Sequence, residues 1–348
     1  MPFSHIMGQE KAKKFLRQVL AMQRVPHAYL FCGISGVGKK SMAKAIAMAL
    51  NCDHSVDGDG CGVCPSCRAI ADGNSPDFLL VGPENRETFD ERSDRILIEH
   101  IRKLNHAVGF SPIGRYRVCV LDHAQNMTVE AANSFLKILE EPPPGNIFIL
   151  NAVDPLDLLP TIVSRCQRVA FQPLSINNIK KWLFRERDVD EESADILSRV
   201  CSGSLGKAID MFDGDYLVKR KSWLSSIVDL FSVSRNRAFL IAVEYMNILK
   251  DSYRTGSGGR NDVFDMFMTW KSLYRDLILI KEGAPFNMLM NMDYIHDLER
   301  HAQAFGVDAL LKSIDLLNRT EQDLMNNINM SLIMEQTVMG LWSLARGA

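Results

Sequence analysis

Gly33-Ile34-Ser35-Gly36-Val37-Gly38-Lys39-Lys40 is the stretch from which the rest of the chain is read. It satisfies GxxxxGK, a loop whose backbone N–H groups cradle phosphates and whose lysine reaches them. It then places Lys40 where Ser or Thr normally offers a hydroxyl to magnesium. Upstream, Ala28-Tyr29-Leu30-Phe31-Cys32 is an apolar run of strand length, and residues 41–50 downstream read as a helix rich in Ala, Met and Leu. Strand, glycine turn and helix in that order aim a helix N-terminus at an anion. The candidate nucleotide contacts of this segment are Gly33, Gly36, Gly38, Lys39, Lys40 and Ser41. The competing reading is a glycine-rich turn with an incidental lysine.

A second segment supplies the other half of such a site. Arg117-Val118-Cys119-Val120-Leu121-Asp122 reads as a buried strand ending in an acid. In phosphate-loop NTPases that acid supports magnesium. The next residue is His123, where a carboxylate that polarises the attacking water is expected. The alternative role of Asp122 is to cap a following helix. Residues 133–141 read as a helix stopped by Pro142-Pro143-Pro144-Gly145. Asn146-Ile147-Phe148-Ile149-Leu150-Asn151 reads as another buried strand, with Asn151 placed to sense a terminal phosphate or a water. Ser164-Arg165-Cys166 follows, and its arginine can pair with an acid on its own surface or reach a phosphate held by another chain.

Cys61-Gly62-Val63-Cys64-Pro65-Ser66-Cys67 makes two consecutive CxxC steps, and Cys52 lies nine positions before Cys61. Four thiolates so close in sequence can close a tetrahedral zinc site with ligands at about 2.3 Å, leaving no position for water, so a zinc here is structural. Gly58, Gly60, Gly62 and Pro65 supply the turns. The alternatives are a redox CxxC pair and unliganded thiols. Cys32, Cys119, Cys166 and Cys201 read as small hydrophobes.

The chain has 348 residues, 47% of them hydrophobic, enough for two or three domains with real cores. A formal charge of -2 gives no global field that marks nucleic acid as a partner. Residues 1–50 nevertheless carry eight basic residues against one acid, Glu10. That is either a surface facing phosphates or a solvated helix face. No segment has the length of a membrane span or the pattern of a signal peptide, so the expected location is cytoplasmic.

Taken together, these residues resemble the delta-prime subunits of the bacterial DNA polymerase III clamp loader, which are relatives of the gamma/tau ATPase subunits of the AAA+ superfamily. The resemblance is carried by Gly8-Gln9-Glu10 and by His27-Ala28-Tyr29-Leu30-Phe31 running into the phosphate loop. It continues through the four cysteines, Ser75-Pro76-Asp77-Phe78, Leu136-Lys137-Ile138-Leu139-Glu140-Glu141-Pro142-Pro143 and Ser164-Arg165-Cys166, and more loosely Asn326-Asn327-Ile328-Asn329. It implies a part in an ATP-driven machine that opens the sliding clamp and places it on primed DNA, with gamma/tau and delta subunits as partners. It implies that Arg165 is an arginine finger acting in a neighbour's ATP site, and that Cys52, Cys61, Cys64 and Cys67 hold zinc. Active gamma/tau-type subunits resemble GxxxxGK[ST], DE and GSLR. This chain has Lys40, Asp122-His123 and Gly203-Ser204-Leu205-Gly206, three departures around one site.

The expected fold is an α/β P-loop AAA+ module over residues 1–173, a parallel sheet flanked by helices with a zinc-knuckle insert at 52–67. A small helical lid over 174–214 follows, then an all-α collar over 215–348. In the lid, Ser202-Gly203 breaks helices. In the collar, Leu310, Leu311, Ile314, Leu317, Met334, Val338 and Leu341 follow helical periodicity, and residues 255–260 read as a flexible connection. The first functional expectation is a subunit that lends Arg165 and does not hydrolyse ATP itself, with ATP binding left open. The others are an active gamma/tau-like ATPase, in which Ser41 or water replaces the hydroxyl and His123 the acid, and a zinc-dependent nucleic-acid module.

Overall fold

The phosphate-loop strand sits inside a five-stranded parallel sheet ordered β2-β3-β4-β1-β5. This computed structural model describes residues 2–22, 24–82, 95–255, 259–325 and 330–346, so residues 256–258 of the expected connection at 255–260 and all of 326–329 lie outside the described residues. The strands are β1 (Ala28–Cys32), β2 (Phe78–Val81), β3 (Arg117–Leu121), β4 (Asn146–Ala152) and β5 (Gln167–Ala170). Central strands of a parallel sheet are buried on both faces, which is why β1, β3 and β4 read as unbroken apolar runs. Alternate side chains nevertheless enter different cores. Tyr29, Phe31, Val118, Val120, Ile147 and Ile149 face one hydrophobic cluster. Ala28, Leu30, Cys119, Leu121, Phe148 and Leu150 face the other.

Helices α1 (Glu10–Ala21), α2 (Lys39–Asn51) and α3 (Pro65–Ala71) cover the first face, and α4 (Ile98–Val108), α5 (Val129–Glu140) and α6 (Pro160–Val163) the second. Thr128 starts α5 by accepting from the Ala131 N–H at 3.2 Å, and the proline run stops it. At the N-terminal ends of the strands the connection into β3 is tied down by buried polar groups. Asp77 accepts from the N–H groups of Ile113 and Gly114 and pairs with buried Arg117, while Asn51 accepts from the N–H groups of Arg115 and Tyr116. Buried charges of this kind persist only when paired and hydrogen-bonded.

This compact unit comprises Met1–Ile179 and Gly203–Lys207; the second comprises Lys180–Ser202 and Ala208–Ala348. After β5 the chain is helical: α7 (Ile176–Arg187), α8 (Glu191–Val200), α9 (Leu205–Asp213), α10 (Tyr216–Leu230), α11 (Arg235–Thr255), α12 (Gly259–Lys281), α13 (Ile295–Ala302), α14 (Val307–Met325) and α15 (Met330–Ala345). Ser202 and Gly203 both have left-handed backbones and end α8, as the sequence predicts. In the second unit Leu310, Leu317, Met334, Val338 and Leu341 are buried as their periodicity predicts, whereas Leu311 faces solvent. Trp223, Phe267, Trp270 and Tyr274 fill the core. Arg220 is buried there too, forked onto Asp293 at 2.6 and 2.8 Å and onto Asn291 at 2.8 Å.

Candidate functional site

The loop from Gly33 to Lys40 leaves β1 at the carboxyl end of the sheet, where open parallel sheets place their ligands. Gly33 has φ +150, and a Cβ there would stand 2.5 Å from the Phe171 carbonyl, so only glycine fits this first turn. Lys39 is buried and folds back, its Nζ donating to the carbonyls of Gly33 and, at 3.0 Å, Ile34. Burial pushes the Lys39 amine below its ordinary value, with Asp122 and Cys32 pulling the other way. The Lys40 amine is likewise lowered by burial, opposed by Asp122 and reinforced by Lys44. Two ammonium groups therefore share the field of one carboxylate where magnesium would share it with a hydroxyl. Ser41 follows on α2, half-buried.

Asp122 does not cap a helix; its Oδ1 accepts from Asn151 Nδ2 at 3.0 Å, which joins the ends of β3 and β4. Asn151 is buried, and its Oδ1 has no partner among the described residues. His123 sits in the left-handed region at φ 52, uncommon for a residue with a side chain, and starts a short 3-10 turn. The structure thus brings Lys39, Lys40, Asp122 and Asn151 into one cluster at the loop.

The segment Gly203–Lys207 packs directly on this loop. The Gly206 N–H donates to the Gly36 carbonyl at 3.0 Å. A Cβ on Gly36 would lie 2.2 Å from Ser204 Oγ, and one on Gly206 would lie 2.9 Å from the Gly36 Cα. Real Cβ contacts do not reach such distances, so both positions must be glycine for the two backbones to touch. Where the GSLR pattern carries arginine, Gly206 is a contact surface and not merely a lost cation. Ser204 Oγ accepts from the Lys207 N–H at 3.1 Å, which fixes the start of α9.

Gln9, which the sequence reading did not place in the site, locks the loop from its other side. Its Nε2 donates to the Gln172 carbonyl at 2.6 Å and the Val37 carbonyl at 3.4 Å, while its Oε1 accepts from the Gln172 N–H. Gly8-Gln9-Glu10 was visible as a motif, but only the fold shows which carbonyls an amide at position 9 meets.

Arg165 stands elsewhere. It precedes β5, whose Gln167 pairs with Tyr29 and whose Ala170 pairs with Cys32, so it lies at the amino ends of the strands, opposite the phosphate loop. Strand rise alone separates those ends by roughly 10 Å. Arg165 Nη2 meets Glu140 Oε1 at 2.8 Å and Nη1 meets the Thr161 carbonyl at 3.0 Å, with both charged side chains substantially exposed. The neighbouring Cys166 thiol is pushed up to about 12 by burial, as fits a small hydrophobe.

The four cysteines Cys52, Cys61, Cys64 and Cys67 converge so that their sulfurs all lie within 4.8 Å of one another. Tetrahedral ligands at about 2.3 Å from a centre stand about 3.8 Å apart, so the cluster fits a bound metal ion. Backbone N–H groups of Val63 and Cys64 bring the Cys61 thiol down to about 6, toward the thiolate that metals bind. Asp59, inside the same insert, accepts from the N–H groups of Phe3 and Ser4 and from Arg17 Nη2, at 2.9, 3.2 and 2.9 Å. The insert therefore fastens the N-terminal segment to α1. It hangs from the far end of α2, about 20 Å from the phosphate loop along the helix axis.

Two family models match the chain: "DNA polymerase III, delta subunit" over residues 8–175 and "DNA polymerase III, delta subunit, C terminal" over residues 260–341. Among curated proteins, the DNA polymerase III subunit delta' of Bacillus subtilis is 27% identical, and the match covers 96% of each chain. The subunit tau of Bacillus subtilis is 27% identical over 92% of this chain, and that of Escherichia coli 33% identical over 61%. The chain spans 58% of the former and 32% of the latter, less than two thirds of either. A gamma subunit-related protein of Thermotoga maritima, a solved structure, is 16% identical with a TM-score of 0.43, covering 96% of this chain and 98% of that one.

Proposed function

We propose that this chain, a relative of the DNA polymerase III delta-prime and tau/gamma subunits, is a delta-prime-type clamp-loader subunit that lends Arg165 to a neighbouring ATPase subunit without hydrolysing ATP itself. The observation that carries this reading is the placement of Arg165 at the amino ends of the strands, away from its own phosphate loop. An arginine so placed has no route to a nucleotide on its own loop. A planar guanidinium at an exposed edge suits a phosphate held by another chain, where it would stabilise charge developing in phosphoryl transfer.

The phosphate loop supports the other half of the proposal. Lys40 stands in for the magnesium-binding hydroxyl, His123 for the acid that orients water, and the Gly206 backbone is seated on Gly36. Nucleotide entering the loop would have to lift Gly203–Lys207 and turn Lys39 outward. In this reading the helices over 174–214 form the lid, whose Gly203–Lys207 segment stays on the loop, and those over 215–348 form the collar that joins gamma/tau and delta subunits. The clamp and primed DNA are reached through that assembly, in the cytoplasm. The four-cysteine insert holds structural zinc: all four positions are protein sulfur, and Asp59 turns the insert into a brace for the N-terminus.

Titrating the purified chain with labelled ATP, with and without magnesium, and assaying phosphate release tests the proposal. The expected result is no turnover in either condition, with or without DNA. Turnover abolished by Lys39→Ala would make the chain an active gamma/tau-like ATPase instead.

A further inference from the structure

Arg165 belongs to a segment that gives its side chain little direction. It follows α6, a helix of four residues, and precedes β5, three of whose four residues are exposed. A long arginine side chain on such a backbone carries rotamer entropy that has to be lost before it meets a phosphate in one geometry. Two acceptors from different places remove that freedom here: the Glu140 carboxylate at 2.8 Å and the Thr161 carbonyl at 3.0 Å. Glu140 is the last residue of α5, directly after Ile138 and Leu139, whose side chains are buried in the core, so its backbone is fixed by the core itself.

From this arrangement we infer that Glu140 is a positioning residue for Arg165, a role that rests on the reading of Arg165 as acting in trans. The two contacts engage two of the five N–H donors of the guanidinium, and three remain for phosphate oxygens. The strength of the pair suits the task. Arg165 is 37% and Glu140 51% exposed, and exposed ion pairs are weak because water screens them. Glu140 therefore orients the guanidinium in the unassembled subunit and yields it readily to a doubly charged phosphate, to which arginine binds as a fork. A deeply buried partner would hold the finger too tightly, and no partner would leave it to wander.

The test is steady-state ATPase of the assembled complex carrying Glu140→Ala, Glu140→Gln, Arg165→Ala or the Glu140→Ala/Arg165→Ala pair, with assembly followed by sedimentation. Glu140→Ala should lower kcat about threefold with KM for ATP and assembly unchanged, the size of effect an exposed pair can supply. Glu140→Gln, which keeps an acceptor oxygen but no charge, should fall between it and the parent. In the Arg165→Ala background, removing Glu140 should change nothing further. If Arg165→Ala depresses turnover but Glu140→Ala has the same effect in both backgrounds, or none in either, the positioning role is overturned and the finger reading stands. If Arg165→Ala is itself silent, the finger reading fails first. Loss of assembly in both Glu140 variants would assign Glu140 to a subunit contact and overturn the inference.

Discussion

Gly36 and Gly206 meet backbone to backbone, and the consequence of adding one carbon to either differs. Gly36→Ala forces a Cβ to within 2.2 Å of Ser204 Oγ on a backbone at φ +76, so strain and clash act together. Gly206→Ala meets the Gly36 Cα at 2.9 Å without backbone strain of its own. Thermal unfolding should show Gly36→Ala losing about 1–3 kcal/mol and Gly206→Ala less, with faster amide exchange at position 206 in both. Unchanged exchange there would mean that the contact is not held in solution. The sequence announced the loss of an arginine in Gly203-Ser204-Leu205-Gly206 but not its physical reason, because close approach of two glycines separated by 170 positions has no local signature. The buried Arg220 was equally invisible. Asp293→Ala should cost about 3–5 kcal/mol in chemical denaturation because it strands a buried cation, whereas replacing both partners with apolar residues should cost less.

Among the elements, β1, β3 and β4 were legible as apolar runs because both their faces are buried, and β1 appears with the predicted bounds. Edge strand β5 was not, since Gln167, Arg168 and Ala170 are exposed and only Val169 is buried; the short edge strand β2 was missed as well. The α5 helix begins at Val129, four residues before the predicted start, because Thr128 supplies a cap ahead of the apolar pattern. The four-cysteine insert was legible from spacing alone, yet its hold on the N-terminus through Asp59 was not. On the proposal that the insert holds one zinc ion per chain, removing metal with a chelator or substituting Cys64→Ser should release that ion, lower Tm, and raise amide exchange across residues 3–6 ahead of the sheet. Protection there that survives metal removal would separate the insert from the role of brace. Asp59→Ala should reproduce the exchange effect with zinc still bound.

For the molecule as a whole, the phosphate loop and the arginine sit at opposite ends of one sheet, and that division is what makes a partner subunit necessary to the account. The family resemblance pointed to Arg165 from a three-residue stretch, but which end of the sheet it occupies depends on strand order and direction, which no local pattern encodes. No helix among the described residues is long and apolar enough to cross a membrane. The formal charge of -2 gives the whole chain little long-range attraction for DNA, so salt-dependent DNA binding by the isolated chain should be weak, as a filter-binding series at rising ionic strength would show. Whether Arg165 serves a neighbour's site is decided by ATP turnover of the assembled complex built with Arg165→Ala or with Lys39→Ala in this chain alone. Arg165→Ala should lower turnover at least about tenfold, a floor well below the roughly 10³–10⁵ that arginine fingers supply, and Lys39→Ala should leave it near parental. Parental turnover for Arg165→Ala, with loss of turnover for Lys39→Ala, would contradict that role.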